Sequence, residues 1–304
     1  MLIVRDIDTF RSQGHGASVT LLACQCRPSS PGPVDRRLCI KAMQRGLEHH
    51  HFRQRRLTLD EDAYLILKGG DPASSIYEGE SWVQPFAAFF GDELVKQALR
   101  GALEDGAERD LGLLEHLRPH GDALSLQLRR LVQRVNAGDE DDSWIEEQAL
   151  ALLDGVLDLE REVRHAGLGI GSVKPATRLE LLRRVLLATD FILSNHEQPI
   201  TLGDIAGAAR LSRFHLVRLF RQVLGSTPHA YLLSKRLAVA ERLLLHTQLD
   251  LNDIAQRSGF GTRSSLFRHL RKQRGAGGVA LRNRLDTPMH ATRTADHTPC
   301  HTSA

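Results

Sequence analysis

Nowhere in the 304 residues does an apolar run approach the length of a membrane span, which argues against a membrane-embedded chain. The opening MLIVRDIDTF places Arg5, Asp6 and Asp8 inside what would have to be the apolar core of a secretory signal, so a cytoplasmic protein is expected. Cysteine is scarce: Cys24, Cys26, Cys39 and Cys300 lack both the C-x-x-C spacing of a zinc site and the density of a disulfide scaffold. Reduced free thiols are therefore expected, and no cofactor or metal is called for. Lysine is scarce too, with only six among the 40 basic residues, so arginine carries nearly all the positive charge and no single arginine is informative by itself.

What is present is unevenly spread. The formal net charge is only +3, yet residues 177–285 hold 18 Lys and Arg against 7 Asp and Glu, a surplus of +11, while residues 1–176 carry 21 against 28. An acidic front half followed by a basic last third points to a polyanionic partner for the latter. With 41% hydrophobic residues, the chain has enough apolar material for two domains of ordinary size.

Residues 1 to about 46 contain turn-forming patches such as RPSSPGPVD and no clear period, and read as loop or short strand. From Leu47 to Phe90 the runs LTL, AYLIL, SIYE and WVQPFAAFF, separated by GGDP and EGE, predict a small antiparallel sheet or cupin-like β-barrel. Tyr64, Tyr77, Trp82 and Phe86 in these runs are expected in its core rather than lining a pocket. His49, His50 and His51 suggest zinc by type, but successive strand residues face opposite ways and no matching ligand spacing follows, so no metal site is expected. From Glu93 to about His165, ELVKQALRGALE, RDLGLLEHL, LSLQLRRLVQRV and WIEEQALALLDGVLDLEREV each repeat apolar residues at helical spacing. Residues 1–165 thus read as an α+β domain whose helical layer can pack on the sheet or against another subunit. The glycine-rich 166–176 follows as a linker, then a helical domain over 177–285 and a polar, aperiodic tail over 286–304 expected to be disordered.

Helix starts in the last third are well marked. Thr177 with Glu180, Thr201 with Asp204, Thr227 with Pro228 and Asp250 with Asp253 each place a side-chain acceptor over free backbone N–H groups, or a proline at the first helical position. The segment also repeats itself. Leu202, Ile205, Ala206 and Leu211 recur forty-nine positions later as Leu251, Ile254, Ala255 and Phe260; after a one-residue insertion, Leu216, Arg218, Phe220, Arg221 and Gly225 recur fifty later as Leu266, Arg268, Leu270, Arg271 and Gly275. Each unit is a short helix, a tight turn and a second amphipathic helix, the plan of a helix-turn-helix whose second helix offers its polar face to a major groove. The residues between the units, 228–246, predict a helix of about 28 Å at 1.5 Å per residue, near the roughly 34 Å between successive major grooves on one face of B-DNA.

These residues resemble the AraC/XylS family of bacterial transcription regulators. In the first unit the resemblance rests on Ile205, Ala206, Ser212, Leu216, Arg218, Leu219, Phe220, Gly225, Pro228 and Tyr231. The connecting helix adds Arg236, Ala240, Leu243 and Leu244, and the second unit adds Asp253, Ile254, Ala255, Gly259, Phe260, Ser264 and Arg268. The resemblance covers about residues 178–284. It implies a non-enzymatic, two-headed DNA-binding domain, with Arg213, Phe214, Val217 and Arg218 of the first recognition helix and Arg263, Ser264, Phe267 and Arg268 of the second at or near double-stranded DNA. Arg218 and Arg268 are the implied base readers, and Arg221, Arg271 and Lys272 are better placed for phosphates. It further implies activation through RNA polymerase and a sensing or dimerisation role for residues 1–165, and leaves a small-molecule effector, its binding residues and a homodimer open. The chain departs from the family after Gly275, where Gly277, Gly278 and Leu281 stand in place of the usual proline and aromatic, and Leu270 stands where phenylalanine is usual. Two alternatives remain at this point: a ligand-independent DNA binder whose segment 93–165 only dimerises, and a thiol-dependent DNA-modifying protein using Cys24, Cys26 or Cys39.

Overall fold

The computed structural model describes residues 1–13, 16–33, 35–52, 55–68, 74–102, 114–138, 141–171 and 174–274. The described residues form two compact units, one up to Lys235 and one from Arg236 onward.

The first unit opens with a strand, β1 (Leu2–Val4), a short helix, α1 (Ile7–Gln13), and two longer strands, β2 (Val19–Ala23) and β3 (Leu38–Arg45). Then come β4 (Leu47–His51), β5 (Arg56–Leu59), β6 (Ala63–Leu67), β7 (Ser74–Glu78) and β8 (Gln84–Phe90). Among the described residues the ladders form two separate sheets and do not close into a ring: six strands in the order β1-β2-β8-β3-β6-β9, with β9 at His116–Pro119, and three in the order β5-β4-β7. All pairs are antiparallel except β1 with β2. The chain passes from β3 to β4, and so from one sheet to the other, at Gly46, whose φ of +87° suits a residue without Cβ.

The long strands β2 and β3 arise from the stretch that reads as loop in the sequence. Both are central, and β2 and the first six residues of β3 are buried on both faces, so the in–out alternation that marks a half-exposed strand is missing. One face of the six-stranded sheet, through Leu21, Ile40, Tyr64, Phe86 and Ala88, packs with Leu128, Leu131, Ile145 and Leu152 of two helices, α3 (Ala123–Ala137) and α4 (Asp142–Leu168). On the opposite face, Met43 and Leu65 join Leu57, Leu59 and Tyr77 of the small sheet, and Leu22, Cys39 and Phe89 join Val4 and Phe10. A further helix, α2 (Asp92–Ala102), follows β8. The run RDLGLLEHL, expected as helix, ends instead in β9; its residues 109–113 lie outside the described ones. Asp122 caps α3 through Ser125 N, and Gly138 closes it in the left-handed conformation. Helix α4 runs three residues into the segment expected as linker.

Three more helices complete this unit: α5 (Pro175–Ser194), α6 (Leu202–Ala208) and α7 (Arg213–Leu224), followed by the start of α8 (Pro228–His246). Helix α5 starts at Pro175 with Lys174 at the N-cap position and no side-chain cap, so the expected box of Thr177 with Glu180 does not form; proline at the first position, whose missing N–H would be unpaired anyway, starts the helix earlier. The box of Thr201 with Asp204 on α6 forms as expected. In the second unit, α9 (Leu251–Arg257), capped by Asp250, and α10 (Arg263–Arg274) pack together with Ile254, Ala255, Leu266 and Leu270 buried. No helix of the described residues is long and apolar enough to cross a membrane.

Candidate nucleic-acid interface

The 49-residue repeat is reproduced in the backbone. At the turn after α6, Arg210 adopts φ +53°, Leu211 N donates to Ala206 O at 2.9 Å, and Arg210 N donates to Gly207 O at 3.0 Å. After α9, Gly259 has φ +78°, Phe260 N donates to Ala255 O at 2.9 Å, and Gly259 N donates to Gln256 O at 2.9 Å. The one-residue insertion falls at Gly261, also at positive φ (+72°). Beyond it, Ser212 Oγ caps α7 by accepting from His215 N at 3.2 Å, as Thr262 Oγ1 caps α10 by accepting from Ser265 N at 3.2 Å. Ala206 and Ala255 are both buried at these turns.

On α7 the apolar stripe of Leu216, Leu219 and Phe220 is buried, and the Phe220 ring meets Tyr231 edge-on at 5.6 Å. Arg213, Phe214, Arg218 and Arg221 are exposed on the other side, with Val217 half-buried. Gly225, at φ +66°, ends the helix in the left-handed conformation and donates to Arg221 O. Arg213 turns back over α6: a Cβ on Gly203 would come within 2.9 Å of Arg213 Nη2. The Asp204 carboxyl beside it is held below its ordinary value by the Thr201 hydrogen bonds chiefly and by Arg213 in smaller part. Among the described residues no carboxylate lies within ion-pair distance of Arg218 or Arg221, whose charges remain available to an anion.

Helix α10 repeats this arrangement. Arg263, Ser264, Arg268, Arg271 and Lys272 are exposed, and Phe267 is half-buried under the Arg263 guanidinium, 5.2 Å from its ring centroid. Gly277, Gly278 and Leu281, the departures from the family pattern, and the tail 286–304 with Cys300 lie outside the described residues.

The sequence reading did not find how the first helix-turn-helix is tied to the sheets. Asp190 of α5, 1% exposed, accepts from Leu117 N of β9 at 2.7 Å and from Arg55 Nη1 at 3.0 Å. Burial pushes its pKa up to about 7 against the opposing pull of Arg55 and the Leu117 N–H. Ser194 Oγ accepts from Thr58 N at 3.0 Å, and Arg55 also reaches Glu115 at 2.8 Å. At the start of α8, the buried Lys235 Nζ donates to both Asp60 oxygens, at 2.8 and 3.1 Å, and lies 3.6 Å from Asp62. Burial works to raise the Asp60 carboxyl, but Lys235 and His196 outweigh it and hold it below its ordinary value. The available signal was a charged residue on an otherwise apolar helix stripe, in LLATDFIL and LLSKRLAVA.

The three histidines alternate as expected, His50 buried and His49 and His51 outward, and the described residues hold no cluster of three or more metal-ligating side chains. Between the two sheets, Glu48 accepts from Lys41 at 2.7 Å and from Ser75 at 2.8 Å, and His50 Nε2 lies 3.4 Å from it. Tyr64, Tyr77 and Phe86 are fully buried, and Trp82 is half-buried under the Arg45 guanidinium. Cys24 and Cys39 are buried free thiols, with Cys26 half-buried.

A family model described as a helix-turn-helix domain matches residues 205–283. The lactose operon transcription activator of Staphylococcus xylosus is 38% identical over 73 residues, which are 24% of this chain and 26% of that protein. The transcriptional activator RhaS of Citrobacter koseri is 34% identical over 165 residues, 53% of this chain and 56% of its own. A solved regulator from Chromobacterium violaceum with an AraC-type DNA-binding domain is 30% identical over 34% of this chain and 94% of its own, with a TM-score of 0.32. The chain thus spans about a quarter to a half of the length of these curated relatives. Residues 205–283 thus carry an AraC-type helix-turn-helix domain, and it is in this domain that the chain is similar to these regulators.

Proposed function

We propose that this chain is a cytoplasmic, sequence-specific DNA-binding regulator of transcription that activates by helping RNA polymerase at promoters. The observation that carries this reading is the duplicated turn, each copy leading into a helix whose outward side bears exposed, unpaired arginines. Helices α7 and α10 are the reading elements, with Arg218 and Arg268 hydrogen bonding to base edges and Arg221, Arg271 and Lys272 neutralising phosphates. Arg213, Phe214, Val217, Arg263, Ser264 and Phe267 complete the two faces. The two-sheet half, an opened relative of the cupin-like barrel, serves effector sensing or homodimerisation; Lys41 with Glu48 and His50 forms an ionic group in its interior. Activation is proposed because relatives similar to part of this chain are named activators.

The test is selection of bound sequences from a random DNA pool by the full chain, followed by affinity measurement on the selected site. Arg218→Ala is expected to cost about 1–3 kcal/mol on that site and to relax one base position, whereas Arg221→Ala weakens all sequences alike and lowers the salt slope by about 1. Equal losses on specific and random DNA for both variants would refute the assignment of Arg218 as a base reader.

A further inference from the structure

Phe214 is the most exposed of the large hydrophobic residues among those described, at 81%, and it sits at the second position of α7. Among the described residues its ring stacks on no other ring and takes no cation. It does not belong to the stripe of Leu216, Leu219 and Phe220 that roots the helix. Arg213, its neighbour, is turned back over Gly203, so the leading tip of the outward face is formed by a phenyl ring with Arg218 one turn behind it. The first residues of a recognition helix are those that reach base edges.

A phenyl ring has no hydrogen-bonding group with which to read the donors and acceptors of guanine, cytosine or adenine. The one apolar feature of the major groove is the C5-methyl group of thymine. We propose that Phe214 is a specificity determinant that packs on a thymine methyl, so that the half-site read by α7 requires a methylated pyrimidine at one position. This rests on the DNA-reading role of α7 proposed above. Four residues of helix advance about 6 Å, or roughly two base steps of about 3.4 Å, which places this thymine within about two base pairs of the base that Arg218 bonds. The second head supplies an internal contrast. Fifty residues on, the equivalent position is Ser264, and the nearby Phe267 is half-buried under Arg263. The methyl requirement therefore belongs to one half of the site only.

The experiment uses the full chain and the site selected from the random pool, with each thymine replaced singly by deoxyuridine, which removes the methyl and leaves every hydrogen-bonding group in place. One thymine in the half-site read by α7 is expected to be sensitive, with binding weakened about fourfold, the worth of one buried methyl. Phe214→Ser is expected to bind thymine and uracil duplexes equally and Phe214→Leu to keep the discrimination; at an exposed position neither exchange disturbs the core. A 5-methylcytosine pair at the sensitive position is expected to bind more tightly than an unmethylated cytosine pair. A selected site with no uracil-sensitive thymine overturns the proposal while leaving the DNA-reading role standing. So does a Phe214→Ser variant that weakens every duplex equally and keeps the discrimination, since the ring then acts as an unspecific wedge. A pool that yields no enriched sequence overturns both readings together.

Discussion

Replacing Lys235 by methionine removes a cation whose side chain is only 2% exposed and keeps nearly all of its apolar length. The variant leaves Asp60, with a side chain 12% exposed, holding a carboxylate whose two oxygens had each accepted from the ammonium, at 3.1 and 2.8 Å. Breaking a buried ion pair from one side typically costs about 3–5 kcal/mol, because the remaining charge stays desolvated. The lower end applies here, since Asp60 Oδ1 keeps the hydrogen bond from Asp62 N at 3.0 Å and a little of the side chain reaches solvent. The expected loss is about 3 kcal/mol, which for a cooperative unit of this size corresponds to a Tm about 6–12 °C lower. Asp60→Asn in the Lys235→Met background removes the orphaned charge, and the double variant is expected to recover about 2 kcal/mol of that loss. The assay is urea unfolding of wild type, both single variants and the double variant at neutral pH, read as a double-mutant cycle. Costs below about 1 kcal/mol that simply add would refute the reasoning, for the pair would then be neither buried nor coupled. The sign with pH is also fixed: Asp60, with its pKa depressed in the fold, contributes stability above the ordinary carboxyl range that is lost on acidification.

Asp190 works the other way. Its pKa, raised to about 7, means that the folded chain binds a proton more readily than the unfolded one between about pH 4 and 7, so this group's contribution is full below that window and lost as pH rises through it. In a series of urea titrations across the window, Asp190→Asn is expected to lack that downward slope; parallel wild-type and variant profiles would show that the carboxyl is not perturbed. Thr201→Ala removes the reciprocal cap of α6 and is expected to cost about 1 kcal/mol of stability, with a loss near zero by urea unfolding counting against the cap.

The last third was largely legible because its signals are local. Caps at Thr201 and Asp250, a tight turn repeated at a fixed offset, and amphipathic stripes with one wet face all act within a few residues, and the bounds of α8 fall at Pro228 and His246 as the sequence indicates. In the front half, α2, α3 and α4 were legible from their helical spacing, and strands only where they have distinct flanks, as in AYLIL and SIYE. Strand β3, with LCIKAM buried on both faces, shows no period that separates it from loop or helix, and β9 is a four-residue strand whose existence depends on pairing with β6, fifty positions away. The ionic ties at Asp190 and Lys235 show in the sequence only as a lone charge on an apolar stripe, with no sign of what that charge meets. Their partners, Arg55 and Asp60, lie more than a hundred residues away, and nothing local in either stretch marks a salt bridge.

The carboxylate of Asp190 also bears on the open edge of the large sheet. Strand β9 closes one side of the large sheet, and an outer strand whose backbone N–H groups point away from its only neighbour is a template on which another chain can add. At Leu117 that N–H is already taken by Asp190, and helix α5 lies along the strand. The helix that begins the helix-turn-helix part therefore also blocks the edge, and a sheet half cut off before Pro175 would expose an adhesive margin that the whole chain keeps covered.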